Sequence, residues 1–392
     1  MLFKELQKQW ISRPRFILGI MSGTSLDGID LCLAEFSTDE HSSDHYTIKA
    51  YRTYPLPNEL RTTIQQAMSN NLNTSQLSAL QSQITHYHAD MIHQFIYEFK
   101  PETIDLLAAH GQTIWHNPPG KESEKPGDTL QLLSVPALAA LTGITSTGDF
   151  RSADIALNGQ GAPLVPVFDA EFLHSNEQDT IALNIGGMAN ITIIPAQKSE
   201  QVRAFDTGPG NILIDEAMLM FFGKKYDEKG AFASAGRRIK RLWQNLCELE
   251  FIYQPPPKST GREFFNRELL KDILEVSFVN TFPAEDIIRT ITDFTAWSIA
   301  ENIRTYANPA ARIFVSGGGV HNTVIMQELA KELPHSIIQR TEAAGIPADA
   351  KEALCFGYLG WLMMAGKPIS LPSVTGATRP AYSGSLAFSA TS

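Results

Sequence analysis

The chain is predicted to be an α/β protein made of two duplicated domains facing a cleft, and three observations lead to that fold class. Its 392 residues exceed what a single hydrophobic core usually organises. Two separate stretches, opening at Phe16 and at Thr180, each read strand, Gly-rich turn, strand, and then alternate helices with strands. Further Gly-rich turns follow predicted strands in both halves, as backbone must where it approaches a ligand closely.

Phe16–Ile20 is an apolar run of strand length, and Ile29–Phe36 is the second strand. The turn Gly23–Asp30 joins them, so the motif is a hairpin and not the strand-to-helix loop of a P-loop. Tyr46–Leu56 continues the β pattern. Thr74–Phe99 is a helix, because Leu77, Leu80, Ile84, Tyr87, Met91 and Phe95 recur at three- and four-residue steps. His86, His88 and His93 lie on it without a carboxylate or cysteine at ligand spacing, which favours a half-buried helix face over a metal site. Ile104–Ala109 is a short strand ending at His110-Gly111-Gln112-Thr113, Thr129–Leu133 another strand, and Pro136–Leu141 a helix. The junction between halves is expected near Ser146–Arg151, giving a first domain over 1–145, completed by 370–392, and a second over 146–369.

In the second half, Thr180–Ile185 and Ile191–Ile194 flank the turn Gly186–Asn190. Val202–Phe205 is a strand leading into Asp206-Thr207-Gly208-Pro209-Gly210-Asn211 and a helix from Ile212. Helices over Pro283–Tyr306, His321–Leu333 and Ala350–Ala365 follow, with the strand Arg312–Ser316 before Gly317-Gly318-Gly319. Pro368–Gly384 reads as a largely irregular tail.

A formal net charge of -10 argues against nucleic acid as the main partner, while leaving room for a phosphate held by backbone N–H groups. No window reaches the roughly 20 apolar residues of a membrane helix. Met1–Arg15 carries charges and lacks the apolar run of a signal peptide, so a cytoplasmic protein is expected. The three cysteines, Cys32, Cys247 and Cys355, form no CxxC or Cys/His pair, so neither a zinc site nor a disulfide framework is read. Cys355 is a reactive thiol or, better, a small buried hydrophobe.

The turn Gly23-Thr24-Ser25-Leu26-Asp27-Gly28-Ile29-Asp30 has the make-up of a phosphate wrap: two glycines, two hydroxyls and successive N–H groups able to form an anion-binding concavity. Asp27 and Asp30 suit such a place where one meets a hydrated Mg²⁺. A plain hairpin turn would use Asp-Gly equally well. Gly186-Gly187, Gly208 with Asn211, and Gly317-Gly318-Gly319 supply further turns, two of which lead into helices whose N-termini attract anions. With no GxxxxGK[ST], a Walker-type NTPase is not expected. The set resembles the nucleotide site of the actin-like, hexokinase-like ATPases, with a first phosphate hairpin, a second phosphate loop and a Gly-rich adenosine turn.

Six motifs in order sharpen the resemblance: Met21–Asp30, His110-Gly111-Gln112-Thr113-Ile114-Trp115-His116, Gly159-Gln160-Gly161-Ala162-Pro163-Leu164-Val165-Pro166, Asn184-Ile185-Gly186-Gly187, Asp206–Asn211 and Pro257-Lys258-Ser259-Thr260-Gly261-Arg262-Glu263. Together with Pro372–Ala377 they resemble the anhydro-N-acetylmuramic acid kinases from about Phe16 to about Leu386. The resemblance implies ATP and Mg²⁺ as cofactors, a homodimer, and conversion of 1,6-anhydro-N-acetylmuramic acid to N-acetylmuramic acid 6-phosphate with one water consumed. It makes Asp206 the base that deprotonates this water; the competing reading is a cap for the following helix. It places Glu352, Arg151, Asp154 and His110 at the sugar. For Glu352 a helix-surface charge, and for His110 and Gln112 a structural role at the strand end, stand as alternatives. Lys258 and Arg262 are either phosphate shields or solvated loop charges. The chain departs from the family at Ala153, where a second arginine is common, and at Asn158, where glycine is. A kinase for another sugar and a non-catalytic nucleotide sensor are therefore the competing functions.

Overall fold

In the computed structural model, which describes residues 2–23, 26–119, 126–197, 201–382 and 384–389, the opening hairpin pairs β1 (Arg15–Ser22) with β2 (Gly28–Thr38) from Arg15↔Phe36 to Ser22↔Ile29. β2 continues antiparallel into β3 (Asp44–Pro55). On its other side β1 takes β4 (Leu106–Asn117) in parallel, and β4 takes β6 (Ser146–Gly148) in parallel. β5 (Asp128–Leu132) lies antiparallel on the far half of β4, and the C-terminal strand Ser385–Ala387 lies antiparallel on β6. Ile17, Leu18 and Ile20 have no solvent exposure, because both faces of the central strands are covered. Ala89, Ile92 and Phe95 of the helix Thr74–Phe99 join the core on one face. The Lys351–Ala365 helix covers the other.

The second sheet repeats the plan. β7 (Thr180–Ile185), β8 (Met188–Ile194) and β9 (Arg203–Pro209) form an antiparallel meander, and β10 (Arg312–Ser316) and β11 (Ile337–Arg340) extend it in parallel from β7. Its order β11-β10-β7-β8-β9 matches β6-β4-β1-β2-β3 of the first sheet. The helix Ala284–Tyr306 is the main apolar partner, burying Ile287, Ile291, Phe294, Ile299 and Ile303. Two copies of a meander with two added parallel strands constitute the duplicated ribonuclease H-like plan of the actin-like ATPases.

The units divide at other points than the sequence suggests: Met1–Glu171 with Asp349–Ser392 form one, and Phe172–Ala348 the other. The expected boundaries at 145/146 and 369/370 are corrected by two contacts. β6 pairs with β4, and the Lys351–Ala365 helix lies on β1, so both belong to the first unit. β4 runs on through His110–Thr113, which were expected to end it, because β1 still pairs with it at Gln112 while β5 replaces β6 on its other edge beyond Gly111, whose φ of 78° permits the change. The helices Leu2–Ile11 and Asn58–Met68, and those between Ala231 and Val276, are additions to the sequence reading. Among the described residues, no helix is long and apolar enough to cross a membrane.

β1 and the Lys351–Ala365 helix meet where neither has a side chain. A Cβ on Gly19 would collide with the Ala353 carbonyl oxygen and lie 2.6 Å from the Gly357 nitrogen. Gly19→Ala should therefore cost about 2–3 kcal/mol through overpacking. Urea unfolding followed by circular dichroism checks this, and an unchanged midpoint would contradict the contact.

Candidate active site

The turn after β1 is tied down from three directions. Leu26 is buried in a cluster with Leu56, Ile64, Ile84 and Ile114, and Ile29 lies wholly in the core, so neither side chain is available to a nucleotide. Arg61 Nε donates to the Leu26 carbonyl at 2.9 Å. Gln112 Nε2 donates to the Gly23 carbonyl at 3.3 Å, while its Oε1 accepts from Ser22 Oγ at 2.5 Å. Gln112 thus holds the strand end. Thr24 and Ser25 lie outside the described residues. Asp27 is exposed and Asp30 partly buried. Burial raises the Asp30 carboxyl above its usual range; the Thr53 hydroxyl, at 2.6 Å, opposes this, and Asp349 and Asp27 add to it. A half-buried carboxylate among others of its charge fits a hydrated divalent cation, which needs only one or two carboxylates beside phosphates.

Behind this turn lies a polar group built on β4, the 149–161 segment and the Lys351–Ala365 helix. Arg151 Nε donates to His110 Nε2 at 2.8 Å, and its Nη1 donates to the Gly161 carbonyl at 2.8 Å. Since Nε2 accepts, the imidazole proton sits on Nδ1, which is 2.8 Å from the Gly111 carbonyl. His110 is buried, and burial with the adjacent Arg151 cation holds its pKa well below the ordinary value. Burial lowers Arg151 to about 10, against the pull of Glu352. Glu352 is reached by solvent, yet enough protein surrounds it for burial to raise its carboxyl; Asp30 pushes the same way, and Lys351 and Arg151 oppose. The structure therefore groups Arg151, His110 and Glu352. Beside His110 a cavity of about 340 Å³ opens, lined also by Gln81, Gln131, Ser134, Asp149 and Ser152.

Asp154 departs from its expected role. It is wholly buried, with Oδ2 accepting from the Gly161 N–H and Oδ1 from Thr375 Oγ1, both at 2.8 Å. Both oxygens join the 159–161 turn to the 375 segment, so Asp154, with no exposed surface, positions the acceptor of Arg151 from within the scaffold. Lys351 and Asp169 form a buried ion pair at 2.8 Å that the sequence reading did not include. Burial, with Asp169 adding to it, raises the Cys355 thiol well above its ordinary value, in keeping with a buried small hydrophobe.

In the second unit the Gly-rich turns sort into two kinds. Gly210, Gly317 and Gly319 are packing glycines: a Cβ on Gly317 would lie 2.6 Å from Asn184 Oδ1, and one on Gly210 or Gly319 would strike Gly186 or Ile185. Gly187 and Gly318 border open space, where a ligand can meet backbone. The N–H groups of Gly210, Asn211 and Ile212 are already given to the carbonyls of Gly187 and Gly186 at 2.8–3.1 Å. This start of the Ile212–Phe222 helix is therefore a brace for the β7–β8 turn, and the anion site expected there from the helix N-terminus is not open at those three donors. Asn211 Nδ2 adds a bond to the Ile185 carbonyl at 3.3 Å.

Asp206 lies within β9, not after it. Opposite β8 the register slips between Ala189 and Asn190, so Thr207 is the extra residue of a bulge, a feature that re-aims side chains beside active sites. Gly208 follows it, facing Ser298 and Ile252. Asp206 N–H donates to the Lys258 carbonyl at 3.1 Å, and Asp206 Oδ2 accepts from the Thr260 N–H at 2.8 Å. Burial pushes the Asp206 carboxyl up to about 6; the Thr260 bond and Lys258 oppose, and Glu263 adds to the rise. Asp206 does not cap the 212–222 helix. Lys258 is neither phosphate shield nor solvated charge: it is buried, and Nζ donates to the carbonyls of Phe251 and Ile252 at 3.0 and 2.9 Å. Arg262 stands by Asp215, whose carboxyl burial lifts to about 7.

Because the folded chain keeps His110 neutral while the unfolded chain takes up a proton below about 6.5, stability from this residue falls as pH drops through 6.5. Imidazole ¹⁵N spectra should show His110 as the neutral Nδ1–H tautomer at pH 6. A protonated ring at pH 6 would contradict the acceptor role of Nε2.

Comparison with solved structures returns distant likenesses. The chain is 11% identical to component A of the (R)-2-hydroxyglutaryl-CoA dehydratase of Acidaminococcus fermentans, over 90% of this chain and 99% of that one, with a TM-score of 0.46. It is 10% identical to the activator of the 2-hydroxyisocaproyl-CoA dehydratase from Clostridium difficile, solved with bound ADPNP, over 88% and 95%, with a TM-score of 0.41. A ROK family protein from Streptococcus pneumoniae TIGR4 in complex with sucrose is 11% identical over 88% and 98%, with a TM-score of 0.34. The sequence profile of anhydro-N-acetylmuramic acid kinase matches residues 15–389, nearly the whole length, and the chain belongs to that kinase family.

Proposed function

We propose that this kinase uses ATP and a water molecule to convert 1,6-anhydro-N-acetylmuramic acid into N-acetylmuramic acid 6-phosphate and ADP, as a step in peptidoglycan recycling. The observation that carries the reading is Asp206: a carboxylate with one oxygen gripped by the Thr260 N–H and a pKa of about 6, matched to a general base working near neutrality. Asp206 takes a proton from water, the water oxygen bonds to the anomeric carbon, and the bond from that carbon to the 6-oxygen breaks. The 6-oxygen receives the γ-phosphoryl group, ADP leaves, and Asp206 returns its proton to solvent.

The remaining residues position and neutralise. Arg151 has donors left after His110 and Gly161 are served, and with Glu352 it would hold the sugar. His110 acts through Arg151. In the first unit the Gly23–Asp30 turn would bind phosphate; in the second, the backbone at Gly187 and Gly318 is open to a ligand. Asp27 and Asp30 would hold Mg²⁺, which when bound neutralises phosphate charge. A homodimer and a cytoplasmic setting accompany this reading on the family resemblance alone. Ala153, on the short helix Ser152–Ala156, favours a second reading, a kinase for a related sugar, since alanine supplies none of the donors of an arginine.

Mass spectrometry of the product formed in ¹⁸O-labelled water tests both. The first reading requires one phosphate and one labelled water gained by the anhydro-sugar. Phosphate without water supports the second, and no transfer to any sugar overturns both. Asp206→Asn should lose 10²–10⁴-fold in kcat, a range on the order of general-base contributions, while still binding ATP. Since the base must be ionised, wild-type kcat/KM should fall as pH drops through about 6; a flat profile from pH 5 to 8 would remove Asp206 from the mechanism.

A further inference from the structure

The Asp206 carboxylate is only as useful as the segment that holds it. That segment, 258–260, contributes a carbonyl to the Asp206 N–H and an N–H to its Oδ2, so it clamps the residue at backbone and side chain together. What fixes the segment is Lys258. Its side chain is 8% exposed, unusual for a lysine without a carboxylate bonded to it. Nζ reaches the carbonyls of Phe251 and Ile252 at 3.0 and 2.9 Å and lies 4.9 Å from the Phe251 ring centre. Neither carbonyl carries a full charge, so the ammonium keeps its positive charge for its surroundings.

Resting on the reading of Asp206 as the base, we propose that Lys258 is a positioning residue for that base. Its buried ammonium locks the 258–260 clamp and supplies the positive charge that keeps the Asp206 carboxylate ionised and ready to accept a proton. Of the groups acting on Asp206, the Thr260 N–H favours the ionised form most, and Lys258 adds to it. Glu263, on the same segment, repels the carboxylate. Asn190, opposite on β8, is uncharged, as are Ser298 and Asn302 of the Ala284–Tyr306 helix, beside Gly208 and Thr207. Burial lowers Lys258 itself to about 8, with Asp206 opposing, so the two groups favour each other's charged form.

The test is a ¹³C carboxyl titration of Asp206 in the full-length chain, assigned by the signal missing in Asp206→Asn. In Lys258→Met the midpoint should rise, as the clamp loosens and a positive charge is lost, and the acidic limb of kcat/KM should move with it. Lys258→Arg retains the charge and should leave both within a few tenths of a unit. Coupling is reciprocal, so Asp206→Asn should lower the Lys258 ammonium midpoint, read by ¹⁵N-detected NMR without any variant of Lys258 having to fold. An Asp206 midpoint unchanged in Lys258→Met, or a Lys258 midpoint unchanged in Asp206→Asn, would overturn the proposal. A wild type that transfers no phosphate to the anhydro-sugar overturns the substrate reading instead, and leaves these titrations fully interpretable.

Discussion

A helix can rest directly on a strand only where both lack side chains, and the first unit is organised around one such place. Gly19 at the centre of β1 and Gly357 of the Lys351–Ala365 helix let the two backbones touch. From this contact the rest of the helix takes its position. At its N-terminal end Lys351 is drawn into the ion pair with Asp169, and Glu352 comes into the field of Arg151 and Asp30. Towards its other end Trp361 is buried against Phe36, and Tyr358 donates to Asp44, which also receives Lys367. A side chain at position 19 would push on all of these at once, since close-packed interiors transmit displacement.

The two units handle the charge of their candidate site residues in opposite ways. In the first, the partners of Arg151 are a histidine forced to accept and a backbone carbonyl, both neutral, so the guanidinium stays charged with donors to spare. Asp154 has no such surplus, both oxygens being committed. In the second, Asp206 is burdened by desolvation and relieved by one N–H and one distant cation, a balance that leaves it titrating near 6 and not near an ordinary aspartate value. Groups poised in this way are those for which a small electrostatic change moves the charge state most.

Most of the scaffold was legible because period decides it. The helix Thr74–Phe99 and the strands Thr180–Ile185 and Arg312–Ser316 fall where the apolar spacing puts them, and the hairpin plan of both halves follows from turns between apolar runs. The unit boundaries were not legible, because whether Ser146–Gly148 and Lys351–Ala365 belong to the first sheet depends on pairing and packing across long sequence separations. At the site, motif position alone brought forward both the residues that stand open and those that are committed. Asp154, Leu26 and Ile29 belong to segments read as ligand-binding, yet burial assigns them to the scaffold. Lys258, in a loop after Pro255-Pro256-Pro257, was read as a phosphate shield or a solvated loop charge; only the carbonyls of Phe251 and Ile252 reveal an interior lysine. The bulge at Thr207 has no sequence signature beyond the adjacent glycine.

The interruption of the first unit by the second also has a consequence for how the chain is made. A ribosome releases residues in order, so Phe172–Ala348 is complete in sequence while the first sheet still lacks its covering helix and its edge strand Ser385–Ala387. Until Asp349 and the residues after it emerge, the face of β1 around Gly19 has nothing to rest on, and its apolar neighbour Ile17 remains without a lid. The nascent chain therefore carries a half-built sheet past the synthesis of an entire second unit. Truncation near the C-terminus would therefore cost the protein its beginning as well as its end.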